Sequence, residues 1–331
     1  MTDQEGASVA FSYAPGKVIL AGEHAVVYGC PAIATTLDRG VRIAVHARPQ
    51  AQVNGDGPML KATGLGFVGQ VCAGPNGQGP AILRLALERL VTLCGERVRG
   101  LELVVDSSIP GGRGLGSSAA LSVAMVRAVY RYFEEALSEE QTLRIVTELE
   151  RIFHGNPSGI DHAVVTHGGV LWFERAGEEP RMERLVLKRP LCFAVGLSHP
   201  HGGTARAVEA LRERSRRHEE AYTHLFSGIR RLVHEMRDAL AEGHLAAAGE
   251  LMNVNQGYLN ALGVSTPELE SLCALARQLG ALGAKLTGAG GGGAVIALVD
   301  GDPEPIVKAF LGQGCLAFSS GTKGLDDQEP N

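Results

Sequence analysis

The chain has 331 residues, 45% of them hydrophobic and 20% charged, with a formal net charge of −5. That length suits two domains with sizeable cores, and the acidic balance leaves no basic surface for nucleic acid. No apolar stretch is long enough to span a membrane. The six cysteines (Cys30, Cys72, Cys94, Cys192, Cys273 and Cys315) stand far apart without a C-x-x-C pair, so neither a zinc site nor a disulfide framework is expected. The opening MTDQEGASVAFSYAPGK carries acids and no apolar core, so no secretory leader is expected and the reducing cytoplasm is the expected compartment.

In chain order, residues 17–20 and 41–47 read as strands flanking a Gly-rich turn. Residues 54–80 are rich in Gly, Pro and Asn and read as a long surface excursion. Within it, Gly64-Leu65-Gly66-Phe67-Val68-Gly69 matches a dinucleotide-binding pattern but has no strand–helix setting. Residues 81–94 form an amphipathic helix. A strand over 101–105 leads into GGRGLGSSAA at 111–120, and Ala119, Ala120, Val123, Ala124, Met125 and Val129 continue with helical spacing. Ser138-Glu139-Glu140-Gln141 is a capping-box start for a helix running to about His154. Strands follow at 169–174 and 191–197, with a break in the pattern around 180–190. Residues 204–281 are helical in texture, with a further start at Ser265-Thr266-Pro267-Glu268. Strands at 284–286 and 294–299 bracket GAGGGG, a helix near 303–312 and a strand near 315–319 close the fold, and the tail from Lys323 is polar. The irregular alternation indicates an α+β fold in two layers.

Three stretches could carry chemistry. The first is the loop 111–118, where glycines allow close backbone approach and Ser117 and Ser118 sit at a helix start. Unpaired N–H groups and the positive end of the helix dipole make that a phosphate site. The second is APGKVILAGEHAVVYG, in which Lys17, Glu23 and His24 interrupt an apolar segment. A lone Lys beside a strand is usually solvated and a lone His is usually structural, but three such residues within eight positions weaken both readings. The third is ERIFHGNPSGIDH at 150–162. Glu150 projects between Leu143 and Val146 at the edge of a buried helical face, where a carboxylate is costly unless paired or bound to a cation. The ordinary alternative is a salt bridge to a core Arg. Asp161 follows a Gly-Asn-Pro-Ser-Gly turn and could simply cap it. Ser118, Glu150, Lys17 and Asp161 together could supply a hard-cation site, a cation for the migrating charge and an orienting carboxylate, the parts of a phosphoryl-transfer site. The Arg-rich run Arg212–Arg217 is interleaved with Glu and reads as a solvated helix face.

PGKVILAGEHAVVYG, PGGRGLGSSAA and KLTGAGGGGA, in that order, resemble the motifs of the superfamily of galactokinases, homoserine kinases, mevalonate kinases and phosphomevalonate kinases. GEHAVVYG and HGNPSGIDHAVVTHGG are most similar to the mevalonate kinases, and the resemblance spans residues 13–320. It implies a two-domain α+β small-molecule kinase fold. An N-terminal ATP-binding kinase domain of the ribosomal protein S5 domain 2-like type would cover 1–185. A C-terminal ferredoxin-like domain would cover 186–331, with the active site in the cleft between them. The implied reaction is ATP-dependent phosphorylation of the C5 hydroxyl of (R)-mevalonate, on the route to isoprenoids, with Mg²⁺ as cofactor. The alternative is a superfamily kinase acting on phosphomevalonate or on another hydroxyl of mevalonate.

By position, the resemblance makes Ser118 and Glu150 the metal ligands, and Asp161 the general base with Lys17 beside it. Glu23, His24 and Thr204 would lie at the mevalonate site. Gly111, Gly112, Arg113, Gly114, Leu115, Gly116, Ser117 and Ser118 would wrap the ATP phosphates, and Gly288, Gly290 and Gly291 would support that loop. Relatives of this kind are often homodimers. The sequence departs from the usual pattern at His162, where Asn commonly follows the base, at His167, where an aromatic is commoner, and at Leu121, where animal enzymes often have Tyr.

Overall fold

The computed structural model describes residues 9–48, 57–63, 65, 67–74, 77–175, 177, 180–200 and 204–322. Two long strands open the chain, β1 (Ala10–Ala21) and β2 (Pro31–Ala47), with a 3-10 turn over Ala25–Tyr28 between them. β3 (Met59–Thr63) and β4 (Gly69–Cys72) follow and pair antiparallel. They correct the expectation of an irregular excursion. Leu60, Ala62 and Val71 are buried, but strands of this length, set among glycines, show too few alternations to stand out. Gly64 and Gly66 of the dinucleotide-like run lie outside the described residues.

α1 (Ala81–Cys94), β5 (Leu101–Ser107), α2 (Ser117–Tyr132) and α3 (Glu139–His154) fall where the periodicity put them. The start of α3 is fixed locally. Ser138 Oγ accepts from Gln141 N at 3.1 Å, and the Gln141 side chain accepts from Ser138 N at 2.9 Å. Two N–H groups that the helix itself cannot satisfy are thereby paired. α4 (Ile160–His167) was not expected. Its cap is Gly159, at φ 98°, inside what the sequence shows only as a turn. β6 (Val170–Glu174), β7 (Arg181–Leu185) and β8 (Cys192–Pro200) come next. β7 lies where the pattern breaks, because four of its five residues are exposed.

The helical stretch resolves into α5 (Thr204–Arg217), α6 (Glu219–Glu242), α7 (Leu245–Ala261) and α8 (Pro267–Gln278). Thr266 Oγ1 caps α8 by accepting from Leu269 N at 3.3 Å. Arg214, expected on a solvated face, donates to the Leu262 and Gly263 carbonyls at the end of α7, where cationic side chains satisfy the last C=O groups. β9 (Gly283–Thr287), β10 (Gly292–Val299), α9 (Glu304–Gly312) and β11 (Leu316–Gly321) complete the described chain. The tail from Lys323 lies outside the described residues. No described helix is long and apolar enough to cross a membrane.

The chain packs as two compact units that interleave in sequence, residues 1–16, 39–111 and 116–157 in one and residues 17–38, 112–115 and 158–331 in the other. β1 and β2 are each long enough to contribute residues to both units. In the first unit, the later part of β2 pairs antiparallel with β5, and β3 lies parallel to β5. α2 packs on α3, and α3 on α1, burying Leu87, Leu90, Val123, Val129, Val146 and Leu149.

In the second unit, the early part of β2 pairs with β6, and β6 with β7. A second sheet there has the order β11-β8-β10-β9, all antiparallel. Helices fall between β8 and β9 and again between β10 and β11. That connectivity is the split βαβ arrangement of a ferredoxin-like fold. α7 and α8 pack on β9, and α9 on β11. The central strand β10 and the edge strand β9, covered by α7 and α8, are almost wholly buried.

Candidate active site

In the first unit, α2 begins at the end of the Gly-Ser loop, with Gly116 as its cap. Ser117 and Ser118 are therefore its first two residues, and their N–H groups have no partner four residues back in the helix. Ser118 Oγ donates to Glu150 Oε2 at 3.1 Å and lies 2.9 Å from His154 Nε2. One turn further along α2, the fully buried Ser122 donates to Glu150 Oε1, also at 3.1 Å. Glu150 itself is fully buried on α3. Two serine hydroxyls thus donate to this carboxylate, and His154 Nε2 lies 3.7 Å from its Oε2.

Among the described residues no group of three or more His, Cys, Asp or Glu side chains could hold a metal alone. The donor set of one carboxylate and one adjacent hydroxyl is nevertheless all oxygen. It fits a small hard cation that takes its remaining ligands from phosphates and water, as Mg²⁺ does.

The second unit holds the other half of the loop. Gly112, Gly114 and Gly116 have φ values of 69°, 80° and 71°. Positive φ at every second residue is a backbone conformation that glycine adopts without a Cβ penalty. The loop is fixed from two sides. Lys17 N donates to Leu115 O at 2.9 Å, and Arg113 donates to Ser198 O. Gly288 and Gly114 meet backbone to backbone, where a Cβ on Gly288 would lie 3.4 Å from Gly114 Cα. This close approach sets Gly288 of the glycine run against the Gly-Ser loop. Gly290 and Gly291 lie against Val264, whose carbonyl accepts from Gly291 N at 2.8 Å.

Lys17 Nζ stands 2.9 Å from Asp161 Oδ1, with side-chain exposures of 2% and 29%. β1 supplies the lysine, and the first turn of α4 supplies the aspartate. The strand holds a cation in the interior, while the carboxylate opposite it keeps contact with water.

Glu23 is buried and paired with Lys285. Asn255 Nδ2 donates to its other oxygen at 3.0 Å. His24 is also buried, and its Nε2 lies 2.9 Å from Ala289 O. Burial pushes its imidazole down to about 4, with the Ala289 hydrogen bond pulling up and Arg214 pushing further down. Thr204 opens α5, but its side chain lies outside the described residues.

The depressed His24 has a measurable consequence. As pH falls below about 6.5, the unfolded imidazole takes a proton while the folded one resists until about 4. Stability from this group is therefore present above pH 6.5 and lost toward pH 4, up to about 3 kcal/mol for a shift of this size. Urea unfolding across that window should show the slope, and His24→Gln should flatten it.

The sequence reading did not find Ser122, His154, Lys285 or Asn255. A signal existed for Ser122, a lone hydroxyl four residues after Ser118 in an otherwise apolar run. His154 likewise follows Glu150 by one helical turn. Lys285 opens the quoted KLTGAGGGGA stretch, but neither it nor Asn255 could be assigned a partner locally, since those partners are 262 and 232 residues away.

Comparisons with known proteins bear on the family of the chain. Residues 81–169 match the model of the GHMP kinases N terminal domain, and residues 236–315 match that of the GHMP kinases C terminal. The chain is 34% identical over 309 residues to mevalonate kinase of Pyrococcus horikoshii, covering 90% of each chain. It is 35% identical over 319 residues to that of Aeropyrum pernix, covering 93% of this chain and 94% of the relative. The crystal structure of L. major mevalonate kinase in complex with R-mevalonate superposes with a TM-score of 0.81 at 24% identity, over 97% of each chain, a likeness of fold.

Proposed function

Because this chain belongs to the GHMP kinases, and among them to the mevalonate kinases, we propose that it transfers the γ-phosphoryl group of ATP to the C5 hydroxyl of (R)-mevalonate, giving 5-phosphomevalonate and ADP. The observation that carries the chemistry is the Lys17–Asp161 pair. A primary alcohol is a weak nucleophile at neutral pH. Asp161 accepts its proton as the new O–P bond forms, help worth about 10²–10⁴-fold. The bond from the γ-phosphorus to the bridging oxygen breaks, and its electron pair leaves with ADP. The Lys17 ammonium holds Asp161 in place and stabilises negative charge on the moving phosphoryl oxygens.

Ser118 and Glu150 would hold Mg²⁺, with Ser122 orienting the carboxylate. When bound, that ion would neutralise charge that develops on the nucleotide phosphates. Ser117, Arg113, Leu115 and the N–H groups of the glycines between 111 and 116 cradle the phosphates, with Gly288, Gly290 and Gly291 behind them. His24, with Glu23 next to it, and Thr204 are assigned to the acceptor site. The family's N- and C-terminal modules are taken as 1–185 and 186–331. The compartment proposed is the cytoplasm, where widely spaced cysteines stay reduced.

An acceptor panel tests the proposal. Purified protein with ATP and Mg²⁺ is expected to release ADP with (R)-mevalonate and to stay near background with phosphomevalonate, galactose and homoserine. ADP release that prefers phosphomevalonate, or that needs no acceptor, would contradict it.

A further inference from the structure

Two charged side chains of the second unit have no direct part in the reaction above. Lys285 on β9 and Glu23 just after β1 are both fully buried and paired with each other. Removing two charges from water is costly, and a well-packed apolar pair often serves stability as well or better. The bonding is complete on both sides. Lys285 Nζ donates to Ile19 O at 3.2 Å, to Leu286 O at 2.6 Å and to Glu23 Oε1, and an ammonium has three protons to give. Glu23 Oε2 accepts from the fully buried Asn255. Both carboxylate oxygens are thus held by protein groups.

The next residue shows what is being held. His24 sits at φ 59°, a conformation that L residues other than Gly adopt at a cost unless their surroundings impose it. Its Nε2 faces Ala289 O, and a carbonyl can only accept. The proton is therefore on Nε2 and the lone pair on Nδ1. Burial keeps the ring neutral at ordinary pH. An imidazole fixed in this tautomer offers a hydrogen-bond acceptor, the complement of an alcohol O–H.

We propose that Lys285 and Asn255 are positioning residues for the phosphoryl acceptor: by locking the Glu23 carboxylate they hold the Glu23–His24 turn so that His24 Nδ1 accepts a hydrogen bond from a hydroxyl of the acceptor. This rests on the mevalonate kinase reading. In it Glu23 acts through the turn and does not touch the substrate.

Lys285→Met alone strands a buried carboxylate and is expected to unfold the protein. The Glu23→Gln/Lys285→Met double variant removes both charges at similar volume, and Asn255→Leu removes one of the bonds to Glu23. Both are expected to fold, by circular dichroism and thermal unfolding. Both should raise KM for mevalonate at least about ten-fold, with KM for ATP within about two-fold of the parent.

Histidine-selective ¹⁵N NMR of the ligand-free protein supplies a readout that needs no turnover. The parent should show His24 as the Nε2–H tautomer, and both variants should lose that preference. If the parent fails to use mevalonate, the proposed reaction falls, and the NMR comparison still decides whether the clamp holds His24. A folded variant with the parental KM for mevalonate, or with the parental His24 spectrum, overturns the inference.

Discussion

Asp161→Asn is expected to lower kcat by about 10²–10⁴-fold while KM for ATP stays near the parental value. Asn keeps the volume and one oxygen of the side chain but cannot take a proton from an alcohol at neutral pH. The structure adds an effect on stability. Lys17 is 2% exposed and has Asp161 as its partner at 2.9 Å, so the substitution leaves an ammonium in the interior without its counter-charge. Breaking a buried pair costs about 3–5 kcal/mol. The 29% exposure of Asp161 lets water screen the charge and places the loss at or below the low end of that range. A Lys17→Met/Asp161→Asn double variant should recover stability and remain inactive. Steady-state kinetics and thermal unfolding, measured on the same preparations, separate the two effects. Near-parental turnover by a folded Asp161→Asn variant contradicts the role of the carboxylate.

Glu150→Gln should raise the Mg²⁺ concentration needed for half-maximal activity by about 100-fold or more and lower kcat as well. The carboxylate is fully buried between Ser118 and Ser122, so the amide loses both the charge and one of its two acceptor oxygens. Ser122→Ala gives a graded comparison. It leaves the carboxylate in place but removes the donor that orients it, and losses of about 10–100-fold in metal affinity are usual for such partners. The order of effects, Glu150→Gln above Ser122→Ala, is the expected result of Mg²⁺ titrations at fixed ATP. An unchanged Mg²⁺ dependence in Glu150→Gln contradicts the metal assignment.

What the sequence revealed was what local chemistry decides. The Ser138–Gln141 capping box, the amphipathic run of α1 and the Thr266-Pro267 start of α8 each depend on residues within a few positions of one another. So does the Gly-Ser loop with its helix. Glu150 was conspicuous because a carboxylate at the edge of an apolar face must have a reason to be there, although Ser122 was not foreseen among its partners. Gly159 concealed the start of α4, since a glycine after Pro-Ser signals a turn as readily as a cap. β3 and β4 were too short for their alternation to show.

The long-range pairs were out of reach. Glu23 with Lys285 and His24 with Ala289 depend on which strands and loops the fold sets side by side, whereas the approach of Gly288 to the Gly-Ser loop was implied by the resemblance alone. The interleaving of the two units has the same origin. It follows from the lengths of β1 and β2 and from the passage of the 112–115 loop from one unit to the other.

The central claim is attack by the C5 oxygen of mevalonate on the γ-phosphorus of ATP. It is tested most directly with (R)-mevalonate carrying ¹⁸O in the C5 hydroxyl and ³¹P NMR of the product. Retention of the label in the C–O–P bridge, seen as an isotope shift on a single new phosphomonoester resonance formed in equal amount with ADP, is the predicted result. A phosphomonoester without the isotope shift, or ADP formed with no phosphorylated mevalonate, would contradict it.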